Sequence, residues 1–120
     1  MGKEGFESLK VWKKAKELAV LIYQTTEKGS FARDYGLRDQ IRRSAVSIAS
    51  NIAEGDERGT DKEAVRFFFI AKGSLAELRT QLIISHEIGY IQQDVYQKLD
   101  HDYKILARQI GSLIKARKAS

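Results

Sequence analysis

The chain contains no cysteine, no proline and only two histidines among its 120 residues. Without cysteine there is no disulfide framework and no thiolate metal site, which is typical of a protein of the reducing cytoplasm. No run of about 18 apolar residues is long enough to span a membrane. The charges of Lys3, Glu4, Glu7 and Lys10 also interrupt any signal-peptide core near the start of the chain. We therefore expect a cytoplasmic protein without a membrane segment.

Catalytic and metal-binding constellations are also scarce. A di-iron helical bundle needs Glu-x-x-His pairs, but Ile83 and Lys98 stand three residues before His86 and His101. The glycines of GDERG (55–59) are not followed by Lys-Ser or Lys-Thr, so no phosphate-binding loop is predicted. Ser112-Leu-Ile-Lys115 lacks the companion motifs of Ser-x-x-Lys enzymes. We predict a non-enzymatic protein with no metal and no cofactor.

Length and charge limit the number of domains and the class of partner. A chain of 120 residues with 42% hydrophobic content predicts one domain over residues 1–120. The net charge is +5, and no acidic residue follows Asp102. This asymmetry indicates an anionic partner, for which nucleic acid is the usual candidate. The alternative is that the cations only solubilise helix faces and complement the helix dipole. The candidate nucleic-acid-binding residues are Lys10, Lys13, Lys14, Lys104, Arg108, Lys115, Arg117 and Lys118.

Short links that contain glycine divide the chain into four predicted helices, over residues 8–28, 34–56, 60–88 and 93–118. Ser8 is a candidate N-cap for the first helix, and Thr60 with Glu63 predicts a capping box for the third. Gly29 and Gly89 suit left-handed C-caps. Because the links are short, the pattern predicts an all-α, antiparallel up-down four-helix bundle.

The second predicted helix has two contrasting faces. One face is apolar and comprises Leu37, Ile41, Ala45, Ile48 and Ile52. The opposite face comprises Gln40, Arg43, Ser47, Ser50 and Glu54. An ordinary surface helix carries Lys and Glu at such positions, whereas short Ser and Asn side chains suit close approach of another backbone. A solvated face is the equally weighted alternative.

The third predicted helix is apolar around most of its circumference. One stripe, the predicted core seam, comprises Ala64, Phe68, Ala71, Leu75, Leu78 and Leu82. A second stripe comprises Phe67, Ile70, Ile84 and Ile88, and a third comprises Val65, Phe69, Ala76 and Ile83. A monomeric bundle cannot bury one helix on all sides, so a large apolar patch stays exposed unless another subunit covers it. We predict a cyclic homo-oligomer whose interface is the third stripe.

Polar side chains within these two helices predict a structural network. Buried charges need partners, so Glu77, Thr80 and Gln81 are expected to pair with Arg42, Arg43, Asn51 or Glu54. The alternative interpretation is a ligand site. The predicted members of the network are Arg43, Asn51, Glu54, Glu77 and Gln81.

Two long strings carry a family resemblance. Residues 36–55 read GLxxQIRRxxxSIxxNIAEG, and residues 67–82 read FFxIAKGSLAELxTQL, after an opening LKVWKKAKELAVLIY at 9–23. In this the chain resembles the 23S rRNA-intervening-sequence protein family, also called four-helix-bundle proteins. Two departures are Ala49, where the family often has proline, and the link at 29–33, where it has a Pro-Glu-containing segment. Ala49 favours a straighter helix.

The resemblance implies bacterial proteins that form rings of five subunits and whose role is mostly unassigned. A related group, the accessory variability proteins of diversity-generating retroelements, is basic and binds nucleic acid and a reverse transcriptase. The expected function is therefore a non-enzymatic, homopentameric bundle that binds RNA or DNA through phosphate contacts. The alternative is a protein-interaction scaffold or adaptor, for example for a reverse transcriptase or a ribosome-associated partner.

Overall fold

The computed structural model describes residues 5–119, and within that range the chain is helical with no β-strand. A 3-10 turn at Phe6–Ser8 precedes five helices: α1 (Lys10–Thr25), α2 (Gly29–Arg33), α3 (Tyr35–Asp56), α4 (Asp61–Glu87) and α5 (Gln93–Lys118). The predicted domain spans 1–120, of which residues 1–4 and 120 lie outside the described part. The four long helices match the four predicted segments, and α2 was not predicted.

The predicted first helix, 8–28, is too long at both ends. Ser8 belongs to the 3-10 turn, where its hydroxyl donates to the Gly5 carbonyl (2.9 Å), and Leu9 occupies the N-cap position of α1. At the other end, the Thr26 hydroxyl donates to the Ile22 carbonyl (2.8 Å) just past the last turn of α1. Gly29, with φ of +63°, then starts α2, which buries Phe31. The left-handed conformation of Gly29 is confirmed, but it begins a short helix and does not cap α1.

The predicted caps of α4 agree with the structure better than the predicted ends of α1. The Thr60 hydroxyl accepts a hydrogen bond from the Glu63 amide (3.2 Å), which is half of the predicted capping box. The Glu63 carboxylate approaches Arg66 (3.9 Å), and within residues 5–119 it makes no return bond to Thr60. At the C-terminus, Gly89 has φ of +86°, and the amides of Gly89 and Tyr90 donate to the carbonyls of His86 (3.1 Å) and Ser85 (2.9 Å). This is a Schellman motif, which satisfies carbonyls that the helix end leaves open.

The core follows the predicted seams. The apolar face of α3 is buried at Ile41, Ala45, Ile48 and Ile52. All six residues of the predicted α4 seam are at most 3% exposed. The core of α5 comprises Leu99, Tyr103, Leu106, Ile110 and Ile114. Burial of these side chains is the main favourable term for the fold.

The long helices run along one another in a bundle with extents of 48 × 21 × 19 Å. Helix α3 packs against α1 and α4, and α5 packs against α4 and, less closely, α1. The end of α5 meets the start of α4 through Arg117 and Asp61 (3.0 Å). The α4–α5 link meets the start of α3, because the Tyr90 hydroxyl donates to Asp34 (2.9 Å), whose other oxygen caps α3 at Leu37. None of the helices formed by residues 5–119 is both long and apolar enough to cross a membrane.

Candidate nucleic-acid interface

The seam between α1 and α5 brings two of the predicted cations together. Lys10 of α1 and Arg108 of α5 line one groove of about 450 Å³. Both side chains are exposed, and Val11, Ile105 and Leu113 form part of the groove's apolar wall. Long cationic side chains rest their methylenes on apolar surface while their charged ends stay in water. The groove therefore presents two positive charges above an apolar floor.

The spacing along α5 explains why a cationic face forms there. Lys104, Arg108 and Lys115 recur at intervals of four and seven residues, so they share one side of the helix. All three are exposed, whereas Tyr103, Leu106 and Ile110 on the other side are buried. We define the basic face as four of the exposed cations of α1 and α5: Lys10, Lys13, Arg108 and Lys115. Within residues 5–119, these four make no ion pair.

Two carboxylates on α5 modify this face. Asp100 and Asp102 are 7% and 8% exposed, and both lie on the flanks of the helix. Asp102 pairs with Lys98 (3.3 Å) and, more loosely, with Lys14 of α1 (3.9 Å). Asp100 pairs with Lys104 (3.3 Å). Lys14 and Lys104, two of the candidate nucleic-acid-binding residues, are therefore paired with buried carboxylates in the folded protein.

Asp100 also ties α5 to α4. Its carboxylate accepts a hydrogen bond from Arg79 of α4 (3.0 Å). Burial acts to raise the pKa of Asp100, but hydrogen bonds from Arg79 and Lys104 and their positive charges outweigh burial, so the pKa lies below its usual value. Asp100 therefore stays ionised at neutral pH and holds two cations. The Asp-His-Asp sequence at 100–102 gave no signal of this role, since spacing along α5 does not show which side chains of α1 and α4 lie beside the two carboxylates.

The remaining predicted cations lie elsewhere. Arg117 forms an ion pair with Asp61 of α4, and its guanidinium lies 5.8 Å from the centre of the Phe68 ring. The Lys118 ammonium lies 5.2 Å from the Phe69 ring centre. Both residues thus face α4 at the end of the bundle and lie away from the α1/α5 groove.

The polar residues of the predicted network do not pair as expected. Asn51 donates to the carbonyl (2.8 Å) and hydroxyl (3.1 Å) of Ser47, and Glu54 pairs with Arg58 (2.8 Å). Arg42 donates to Thr26 and to the Tyr23 carbonyl at the end of α1. These side chains lie on the flanks of α3, where partners on the same helix or on α1 are nearer than α4.

The link between α3 and α4 is made instead by two small hydroxyls, Ser47 and Ser74, whose oxygens are 2.9 Å apart. Beside them, a polar groove of about 430 Å³ is lined by Gln40, Arg43, Ser44, Ser47, Ser74, Glu77 and Gln81. Arg43, Glu77 and Gln81 do share this groove as the sequence suggested. Nevertheless, no hydrogen bond or ion pair joins them within the described residues, and the carbonyl oxygen of the Gln81 side chain is buried without a partner.

The predicted oligomer interface is largely exposed. Phe69 and Ile83 are 47% and 37% exposed, Ala76 is exposed, and Val65 is half-buried against the core. From the second stripe, Ile70, Ile84 and Ile88 are also exposed. The apolar surplus of α4 is therefore real in a single copy of the chain.

A groove between α1 and α3 was not predicted. It has a volume of about 640 Å³, and its wall includes Phe6, Trp12, Val20, Tyr23, Val46 and Ala49, with Lys16, Glu27 and Arg42 also lining it. The aromatic side chains interact within it, since Phe6 packs edge-on against Trp12 at 5.0 Å. Projection of single helices missed the groove because it forms only where two half-apolar flanks meet.

The two histidines lie in different surroundings. His86 stacks on Tyr96 at a ring separation of 4.2 Å, and His101 is exposed. Across residues 5–119, no group of three or more His, Asp and Glu side chains is placed to hold a metal ion.

Comparison with known proteins identifies the family. The family model described as "23S rRNA-intervening sequence protein" matches residues 7–112. A crystal structure of a protein of unknown function from the S23 ribosomal protein family of Bacteroides thetaiotaomicron is similar, with 25% sequence identity and a TM-score of 0.81; the match covers 88% of this chain and 98% of that one. No curated protein matches. Because the family model covers all five helices except the last turns of α5, the chain belongs to the 23S rRNA-intervening sequence protein family.

Proposed function

We propose that this protein is a non-enzymatic nucleic-acid-binding protein whose basic face engages phosphates. The observation that carries the proposal is the α1/α5 groove, where Lys10 and Arg108 lie exposed and, within residues 5–119, without carboxylate partners. Phosphate oxygens are the main ligands of lysine and arginine in such interfaces, and these contacts position a nucleic acid without reading its sequence. No cofactor or metal is part of the proposal.

The buried carboxylates support this division of roles. Asp100 and Asp102 form ion pairs with Lys104, Lys14 and Lys98, so those cations are held against the bundle. Lys10, Lys13, Arg108 and Lys115 form no ion pair within residues 5–119 and are exposed to an outside partner. Few aromatic side chains are exposed beside them, which favours phosphate contacts over base stacking and hence weak sequence preference.

We further propose that the chain is an antiparallel up-down four-helix bundle that acts as a cyclic homo-oligomer, with five copies as the resemblance implies. The exposed apolar residues of α4 support assembly. Assembly repeats the basic face around the ring, so several weak phosphate contacts act together. The family name and the S23 ribosomal protein family of the similar structure favour RNA as the first ligand to test.

A salt titration tests the nucleic-acid proposal. Fluorescence anisotropy with a structured RNA and a duplex DNA is measured at two salt concentrations. If four cations of one copy contact phosphates, counterion release weakens binding on the order of 100-fold between ~50 mM and ~200 mM salt. Binding that is absent at the lower salt concentration, or that does not change with salt, would contradict the proposal.

A protein-interaction scaffold is the second candidate function. The observation that favours it is the apolar α1/α3 groove, because an exposed apolar surface of this kind is typical of a protein-interaction site. A reverse transcriptase or a ribosome-associated protein is the kind of partner that the family resemblance suggests. The salt titration also separates the two candidates. Binding of RNA or DNA through phosphates weakens with salt, whereas apolar docking of a protein does not depend on it.

A further inference from the structure

Two apolar surfaces of this chain are uncovered. The first is the α4 ridge, which we define as Phe69, Ile70, Ile83, Ile84 and Ile88, each between 37% and 53% exposed. The second is the α1/α3 groove, where Val20, Tyr23 and Val46 are between 43% and 50% exposed. A monomer rarely leaves two such surfaces in water, because each is a favourable site for association.

The shapes of the two surfaces differ. The ridge is the outer side of one long helix, with bulky residues toward both ends. Gly73 lies between Ile70 and Ala76 on that side, and a Cβ added at Gly73 would meet nothing within 4 Å. The groove is a concave channel between two helices, so the ridge and the groove can fit each other more closely than two ridges can.

The two surfaces cannot meet within one copy. Helix α4 packs mainly against α3 and α5, whereas the groove lies between α1 and α3. A contact between two α4 ridges would leave both grooves uncovered. A contact of ridge with groove covers both surfaces with one kind of interface.

Charge also favours the ridge as the occupant of the groove. The C-terminal half of the ridge is flanked by two exposed acids, Glu77 and Glu87. The groove carries two cations, Lys16 and Arg42, against one acid, Glu27. Opposite charges at the rim of an apolar contact set its register and reject wrong pairings.

We propose that the α4 ridge of one copy docks into the α1/α3 groove of the next copy. This inference rests on the homo-oligomer of the proposed function and names its two surfaces. Because the surfaces are different, the contact is heterologous, and its repetition by a rotation closes a ring. Every copy then contributes one ridge and one groove, and the basic face on α1 and α5 is left outside the contact.

Two variants, each with one surface blocked, test the proposal. The ridge variant is Ile84→Lys, and the groove variant combines Val20→Lys with Val46→Lys. All three positions are at least 43% exposed in the single copy, so lysine is tolerated by the fold, which circular dichroism checks. The matched controls are Val95→Lys on α5 and Leu21→Lys on α1, which replace exposed apolar residues outside both surfaces.

Mass is measured by light scattering after size exclusion. The wild type and both controls should give a mass several times 13.6 kDa, and each blocked variant should fall to 13.6 kDa. An equimolar mixture of the two blocked variants should give a species of about twice that mass. The reason is that one intact ridge and one intact groove remain between them, and assembly stops at two copies.

Three results would overturn the inference, and they differ in what else they affect. A groove variant that keeps the wild-type mass would leave the oligomer standing but remove the groove from its interface. Blocked variants that stay monomeric when mixed would show that the ridge and the groove are not partners. A monomeric wild type would overturn the assembly as well, while the salt titration would still decide the nucleic-acid proposal.

Discussion

The α3/α4 seam and the α1/α5 seam are both helix contacts of one bundle, but they are built from opposite kinds of side chain. Small residues fill the α3/α4 seam, where Ser47 meets Ser74 and Gly55 lies against Phe68. Long charged residues fill the α1/α5 seam, where Lys14 approaches Asp102 across 3.9 Å and Lys10 and Arg108 line an open groove.

The difference shows how one bundle separates stability from binding. Small side chains let two helix backbones approach closely, and open space at this seam is confined to the polar groove beside Ser47 and Ser74. Long charged side chains keep the helices further apart and leave cationic groups in solvent. The candidate binding face therefore lies at the seam where the helices pack least closely.

The largest expected effect comes from breaking the close seam with Gly55→Leu. A Cβ at this position would lie 2.6 Å and 2.9 Å from atoms of the Phe68 ring and 3.0 Å from the Ala64 carbonyl oxygen. The larger side chain should lower the free energy of unfolding by about 3 kcal/mol or more, because the packed seam has no room for it. Urea denaturation followed by circular dichroism measures the change.

The control for this variant is Gly59→Leu, in the link between α3 and α4. A Cβ added at Gly59 meets nothing within 4 Å, and its backbone is not left-handed. We expect a change of less than about 0.5 kcal/mol, as for most surface substitutions. Equal losses from the two leucines would show that the α3/α4 seam is not especially close.

A smaller loss should follow from Asp100→Asn, which removes the charge between Arg79 and Lys104. Hydrogen bonds between charged groups contribute about 1.5–3 kcal/mol, and we expect a loss within that range near neutral pH. Denaturation curves at pH 7 measure it, with Asp94→Asn, an exposed acid in the first turn of the same helix, as the control.

The same variant sharpens the pH dependence. The pKa of Asp100 is lower in the folded protein than in the unfolded chain, so its contribution is present above about pH 4 and is lost as the pH falls below that value. The wild type should therefore lose more stability than the variant between pH 5 and pH 2 (about the range over which a carboxylate titrates). Identical pH profiles would show that Asp100 does not carry this contribution.

The smallest effect is expected from removing two tyrosine hydroxyls. Among residues 5–119, the Tyr103 hydroxyl is buried without a hydrogen-bond partner, and burial raises its pKa. Because an unsatisfied buried group costs free energy, Tyr103→Phe should be neutral or should stabilise the protein by up to about 1 kcal/mol. Tyr90→Phe removes the bond to Asp34 and should cost about 0.5–1.5 kcal/mol. Melting temperatures of both variants distinguish the two signs, and a loss for Tyr103→Phe would point to a partner for its hydroxyl.

Much of the fold could be predicted because the apolar spacing of each long helix is regular. The core seam of α4 was predicted residue by residue, and all six positions are buried. Helix α2 could not be predicted, since only one of its five residues, Phe31, is buried and so short a segment shows no helical period. The C-terminal end of α1 was also missed. There the Thr26 hydroxyl donates to the carbonyl of Ile22 in the preceding turn, and spacing of apolar residues gives no sign of this bond.

Less of the candidate site could be predicted. The run of cations after Asp102 gave Arg108 and Lys115, but spacing along one helix does not tell which acids of another turn or helix lie near each lysine. The burial of Asp100 and Asp102, which takes Lys14 and Lys104 out of the basic face, depends on how α5 sits against α1 and α4. The α1/α3 groove likewise depends on two helices at once.

If the basic face, and not net charge alone, binds nucleic acid, the position of a lost cation decides how much binding weakens. The most direct test compares two double charge reversals that change the net charge equally. One is Lys10→Glu with Arg108→Glu, in the α1/α5 groove, and the other is Lys28→Glu with Arg33→Glu, at two exposed positions in and beside α2.

Anisotropy titrations with the same structured RNA at low salt give the dissociation constants, after light scattering has shown that both variants keep the wild-type mass. We expect the groove reversal to weaken binding at least ~10-fold more than the α2 reversal. It should also lower the dependence of the binding constant on salt by about two phosphate contacts. Equal weakening by the two reversals would contradict it, since binding would then follow the overall charge of the protein and not the face formed by α1 and α5.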